Sequence, residues 1–150
     1  MQVKTIATEN NTMPITLCIF RKEKSILVSR GYDAQKGETF YRPPGGRINF
    51  GEYSWATARR QIKEEIGEEI KNLSFLGPLE NIFQYEGKDR HEIVFVFEGE
   101  FVNKQIYNKE HLTIQRKTDS PLTIEWKPLE DFFRKKDMLY PEGLVNMLRP

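Results

Sequence analysis

YRPPGGRINFGEYSWATARRQIKEEIGEEI, residues 41–70, runs from a double-proline, double-glycine turn into a segment crowded with glutamates. Pro43-Pro44-Gly45-Gly46 forbids regular structure and forces a tight loop. From Tyr53 to Ile66 the apolar residues Trp55, Ala58, Ile62 and Ile66 recur three or four apart, which predicts a helix with that stripe buried. Gly67 is placed to end it as a left-handed cap. At about 100° per residue, Gln61 projects between Glu64 and Glu65, Glu64 points away from the stripe, and Glu65 flanks the core edge. Two glutamates in the last turn face the negative end of the helix dipole, at a cost of about 0.3–1 kcal/mol per exposed charge. Pairing with Arg60 and Lys63 on a solvated face is one compensation. A divalent cation is another, because Mg²⁺ is served by one or two carboxylates, water and substrate phosphate oxygens. A glycine turn lets a backbone carbonyl approach such an ion closely.

Outward from this segment, Ile15 to Phe20 and Ser25 to Ser29 are β-branched and aliphatic runs parted by RKEK, the pattern of a strand hairpin. Phe40 to Arg42 reads as a short strand before the prolines. Leu73 to Tyr85 reads as one or two strands broken near Gly77-Pro78. His91 to Val102, with five apolar residues in succession, reads as a central strand buried on both faces. Asn103 to Ser120 reads as a long polar loop. Leu122 to Trp126 restores a strand, Pro128 opens a short helix through Leu129, Phe132 and Phe133, and Pro141 occupies the first turn of another through Leu144 and Leu148. Strands first and helices mostly late predict an α+β fold. No repeat or linker divides the chain, so residues 1–150 are expected to form one domain behind a loose lead-in over 1–12.

Twenty-three basic against 22 acidic residues leave a net charge of +1 and no basic block to track a nucleic-acid backbone. No apolar run approaches a membrane span, and the N-terminus lacks the order of a secretory signal, so the expected location is cytoplasmic. The single cysteine, Cys18, excludes an internal disulfide and a cysteine metal cage. Its apolar neighbours predict a buried strand residue.

Read from Gly46, the segment resembles the Nudix box, GX5EX7REUXEEXGU with U aliphatic. Gly46, Glu52, Arg60, Ile62, Glu64, Glu65 and Gly67 fall in place. The approach YRPPGG, the strand HEIVFVFEGEF and the segment EWKPLEDF also look like features of that family, so the likeness extends over roughly residues 13–135. The resemblance implies an α/β/α sandwich around a mixed sheet. It also implies hydrolysis of a small nucleotide, a nucleoside diphosphate linked to another moiety, with Mg²⁺ or Mn²⁺. Carried over by position, Glu64 and Glu65 are the principal metal ligands, Glu52 supports the metal at the helix entrance, Arg60 orients the glutamates, and Gly45 or Gly46 contributes backbone. A homodimer is common in the family and is compatible with this chain.

Two positions depart from the pattern. Gln61 stands where the box has a glutamate, and an amide accepts a hydrogen bond but cannot act as a carboxylate base. Glu68 stands at the terminal aliphatic position. Two functions therefore stay open, a hydrolase and a nucleotide-binding or regulatory module with weak or no turnover. If a loop supplies the base, Asp119 and Glu110 are the candidates, while Glu125 beside Trp126 reads as a strand residue. Arg90, Tyr41 and Arg42 are expected to contact substrate, Phe50 to pack in the core, His91 to satisfy its local loop, and His111 to be exposed. No second motif selects among ADP-ribose, nucleotide sugars, dinucleoside polyphosphates and modified triphosphates.

Overall fold

The axis of the fold is β1, Met13–Lys22. Alternate strand residues point to opposite faces, so Ile15, Leu17 and Ile19 enter one core while Cys18 and Phe20 enter a second. The computed structural model describes residues 11–114 and 122–150. β1 turns through Glu23, at φ 55, into β2, Ser25–Asp33, in antiparallel pairing. The other strands are β3 (Glu38–Arg42), β4 (Gly45–Arg47), β5 (Ile70–Tyr85), β6 (Lys88–Phe101), β7 (His111–Ile114) and β8 (Leu122–Pro128). The helices are α1 (Ser54–Glu65), α2 (Leu129–Phe133) and α3 (Leu144–Leu148).

Among the described residues the sheet has eight strands, in the order β5-β6-β1-β2-β8-β7, with β3 added to β2 and β4 to β1. The β1–β6 pair is parallel, from Met13 opposite Glu92 to Phe20 opposite Gly99, and the remaining pairs are antiparallel. One core packs under α2 and α3 through Leu129, Phe132, Leu144 and Leu148. The other packs under α1 through Ala58 and Ile62 and holds the stacked rings of Phe20 and Phe101, whose centroids are 4.1 Å apart. Each such fully buried side chain contributes about 1.5–3 kcal/mol. The result is a mixed sheet between helical layers, an α+β arrangement. Cys18 is buried, and burial pushes its thiol pKa well up, which keeps it inert.

Several local expectations need correction. Gly45–Arg47 is not a loop but β4, because Gly45 and Gly46 let the chain lie against Thr16 and Leu17 of β1. The stretch after Asn103 is ordered as well: a 3-10 turn, Lys104–Asn108, and β7 bury Ile106, Leu112 and Ile114. Composition hid this because one apolar residue per turn or alternate residue suffices at a sheet edge. β5 is continuous across Gly77-Pro78, which is absorbed by register shifts against β6 at 71–74 and 75–77. β6 is central, between β5 and β1, but its two faces are unequal: Val94 and Val96 are buried while Ile93 and Phe95 are only partly so. Pro141 stands ahead of α3, whose preceding residue is Gly143 at φ 93. Within α1, Trp55 is 49% exposed and stacks on Tyr53, while Thr57 is fully buried in its stead. Thr57 tolerates burial because its single hydroxyl proton goes to Glu52, with the Tyr53 carbonyl as a second acceptor in reach at 3.2 Å.

Candidate active site

The local geometry begins with how α1 starts and ends. Tyr53 precedes the helix in an extended conformation without a side-chain cap, and Gly67, at φ 83, closes it by donating to the Ile62 and Lys63 carbonyls. Gln61, Glu64 and Glu65 lie on the last turns, with Glu64 exposed and Gln61 and Glu65 half-buried at the edge of the face that buries Ala58 and Ile62. The start of α1 is fastened to β1 by the buried hydroxyl of Thr16, which donates to the Ser54 carbonyl at 3.1 Å.

Arg60 organises the acids. A guanidinium has five N–H donors in a fixed fork, and here every one has an acceptor. Nε donates to Glu52 Oε2 at 2.7 Å, and Nη2 donates to Glu52 Oε1 at 2.9 Å and to the Arg47 carbonyl at 3.1 Å. Nη1 donates to Glu64 Oε2 at 3.3 Å and to the Gln61 side-chain oxygen at 3.2 Å. The Gln61 amide, oriented by its neighbours, then donates to Glu65 Oε1 at 3.1 Å. One cation thus links β4, the helix entrance and the last turn of α1. Lysine, a point charge with three donors, cannot reproduce this fork.

Glu52 is a partner of Arg60 rather than an open ligand, since its carboxylate also accepts from Thr57 and the Asn49 amide. Hydrogen bonds from Arg60 first and Thr57 second hold its pKa down at about 2, against an ordinary 4.5. The same contact raises the pKa of Arg60. A carboxyl depressed in the folded state stabilises above the unfolded value, and that contribution disappears as pH falls through the folded one. The melting-temperature difference between wild type and Glu52→Gln is therefore expected to be full at neutral pH and to close between about 4.5 and about 2. A difference that stays constant down to the lower value would show that the carboxylate's charge does not matter.

Glu64 is about half exposed, with the single long contact to Arg60. Among the described residues no group of three or more His, Cys, Asp or Glu is arranged to hold a metal. Between Glu64 and Glu65, Gln61 contributes an amide and no carboxylate.

A cavity of about 480 Å³ lies between the β2–β3 arm, including Ser29, Phe40 and Arg42, and the ends of β5 and β6, including Asn81, Phe83 and Glu92. Arg42 enters it held by Glu92, with Nη2 at 3.2 and 3.4 Å from the two carboxylate oxygens. Exposed Arg90 stands at its edge, as do Arg30 and Lys36. His91 also lines it, with Nδ1 3.2 Å from the Thr12 hydroxyl.

Tyr41 does not contact this cavity. Its ring is 7% exposed, packs edgewise on Phe132 and carries the Lys127 ammonium over its face at 4.5 Å. The alternation of β3 sends Tyr41 into the core and Arg42 to the opposite side. Phe50 is fully exposed instead of buried. Glu110 and His111 are exposed at the start of β7, and Glu110 makes no hydrogen bond or ion pair with a described residue. Glu125 lies in β8, opposite His111 and Val28. Asp119 falls outside the described residues. Glu68 is half-buried and accepts from Asn103 at 3.5 Å.

Sequence reasoning missed Glu92, Asn81 and the aromatic wall of the cavity. Glu92 had a signal, a carboxylate at the head of a strand otherwise built of Ile, Val and Phe. Asn81 had none, because only its strand register brings it opposite Glu92.

A mixed sheet between helical layers, with acids gathered about one helix by a single arginine, defines the class as an α/β/α sandwich. A family model described as NUDIX domain matches residues 11–145, and the chain belongs to that family. No curated protein matches it. Solved structures share the fold at low identity. A NUDIX hydrolase from Nitrosomonas europaea is 15% identical with TM-score 0.65, covering 92% of this chain and 86% of that one. A MutT NUDIX hydrolase from Burkholderia pseudomallei is 16% identical with TM-score 0.62, covering 92% and 95%. A MutT protein from Bacillus halodurans is 22% identical with TM-score 0.52, covering 84% and 74%.

Proposed function

We propose that the protein is a divalent-metal-dependent NUDIX hydrolase that cleaves a nucleoside diphosphate linked to another moiety. The observation that supports this most is the complete use of Arg60's donors to hold Glu52, Glu64 and, through Gln61, Glu65 in one array. Such an array brings like charges together at the end of a helix that disfavours them. Its donor set suits a cation completed by the substrate's own phosphate oxygens, with Glu64 and Glu65 as the protein ligands, and not an all-protein cage. Bound there, Mg²⁺ or Mn²⁺ would polarise a phosphoryl oxygen and lower the pKa of an attacking water. Arg42, fixed by Glu92, and Arg90 supply positive charge to the cavity between the β2–β3 arm and β5–β6, which this reading assigns to the rest of the substrate.

A second reading has its own support. The Gln61 amide gives Glu65 a donor where a metal would otherwise neutralise it, which suits a nucleotide-binding module with little turnover. A nucleotide panel with Mg²⁺ and with Mn²⁺, run on wild type and Gln61→Glu, separates the two. The hydrolase reading expects wild type to release a nucleoside monophosphate. It further expects a gain of about tenfold or more in Gln61→Glu, whose new carboxylate beside Glu65 demands a cation. Thermal shift without turnover in wild type, followed by turnover in the variant, supports the binding module. Neither shift nor turnover with any nucleotide and either metal would sink both.

A further inference from the structure

Asn81 is 4% exposed, yet its carboxamide makes no hydrogen bond to any described residue. It sits on β5 opposite Glu92, whose carboxylate is already committed to Arg42. A primary amide has two donors and an acceptor oxygen with two lone pairs, and those of Asn81 keep contact with solvent, since among the described residues the buried side-chain polar atoms without a partner are His91 Nε2 and Trp126 Nε1. The residue lines the cavity between the β2–β3 arm and β5–β6, so its unmatched groups open into that space. Part of the cavity wall is aromatic: Phe40 meets Tyr140 edge to face at 5.3 Å, and Phe83 lies 6.2 Å from Tyr140. Aromatic side chains beside a nearly buried amide, in a cavity otherwise lined largely by polar and charged groups, match a flat heteroaromatic ring that presents a donor beside an acceptor.

We propose that Asn81 is a specificity-determining residue that reads the hydrogen-bonding edge of the substrate's nucleobase in this cavity. The inference rests on the proposal that the substrate is a nucleoside diphosphate derivative, and assigns the base to one end of the cleft. Parallel donor and acceptor groups let asparagine bond bidentately to an amino edge beside a ring nitrogen, or to a lactam edge. An aspartate at the same place only accepts, and so favours an edge with two donors, such as the N1–H and amino group of guanine. Arg42, beside Glu92, then faces the phosphate side of the nucleoside.

The test is calorimetric binding of ADP, CDP, GDP, UDP and inorganic pyrophosphate, with Mg²⁺, to wild type, Asn81→Ala and Asn81→Asp. Wild type is expected to bind at least one nucleoside diphosphate about tenfold or more tightly than pyrophosphate. Asn81→Ala should lose about 10- to 100-fold on that nucleotide while leaving pyrophosphate unchanged. Asn81→Asp, nearly isosteric and so the fallback if the alanine variant does not fold, should reorder the four bases toward guanine. Equal weakening of pyrophosphate and nucleotides, or an unchanged base ranking in the aspartate variant, overturns the proposal. Wild type that binds or hydrolyses diphosphates without base preference overturns it while leaving the hydrolase reading intact. Wild type that binds no diphosphate overturns both.

Discussion

Replacing Glu64 by glutamine is expected to lower metal-dependent hydrolysis by about 10²–10³-fold while the melting temperature stays within about 2 °C of wild type. The two halves of that result have separate causes. On the stability side, the Glu64 side chain is 51% exposed and its one ion pair, to Arg60 Nη1, is 3.3 Å long. Exposed pairs of this kind are worth about 0–1 kcal/mol, and glutamine retains an oxygen able to accept the same bond. The helix loses one of the charges its dipole disfavours, which offsets part of that small loss. On the chemical side, glutamine brings no negative charge to a cation, and the neighbouring Gln61 already brings none. A helix that carries two carboxylates, Glu64 and Glu65, where the helical part of the box pattern has three cannot lose another without a large fall in metal affinity. Steady-state rates over a Mn²⁺ titration, alongside thermal denaturation, check both halves. A variant with full activity at low Mn²⁺ would remove Glu64 from the site.

The sequence made the box legible because its signal lies in spacing along one helix, and helix geometry converts spacing into direction without tertiary help. Gly67 closes α1 and Arg60 pairs with acids one and two turns away. The orientation of the helix was less legible. Trp55, Ala58, Ile62 and Ile66 define a stripe, but a hydroxyl that can reach Glu52 makes Thr57 as buriable as an apolar residue. That choice turns the helix enough to leave Trp55 half exposed. Register was the other hidden quantity. Tyr41 and Arg42 are chain neighbours with opposite destinations, and only the pairing of β3 on β2 decides which faces the cavity. The Asn81–Glu92–Arg42 grouping joins residues from three strands, β5, β6 and β3. No local pattern within any of them announces it.

Gly45→Ala is expected to destabilise the fold by about 3 kcal/mol, a fall of roughly 6–12 °C in melting temperature for a chain of this size. The two glycines of the turn read alike in the sequence, but their surroundings differ in kind. A methyl group on Gly45 would meet the Thr16 carbonyl and the Leu17 Cα, which belong to the backbone of β1. That backbone has little freedom to move, since β1 is paired with β6 on its other edge and the Cys18 amide donates to the Pro44 carbonyl at 2.9 Å. Thr16 also anchors the start of α1. Relief of the clash must therefore separate β4 from β1 or shift the helix entrance, and either disturbs the Arg47 carbonyl that Arg60 grips. A methyl group on Gly46 would meet only the Gln61 carboxamide, the end of a flexible side chain. Gly46→Ala should cost about 1 kcal/mol, because the collision is relieved by a rotamer change. That change withdraws Gln61 from both Arg60 and Glu65, so the milder variant is the one expected to alter metal binding directly. Thermal denaturation of both variants, with and without Mn²⁺, tests the contrast. Equal losses in the two would mean that the glycines serve only the turn, and that close packing of β4 on β1 does not position the acidic helix.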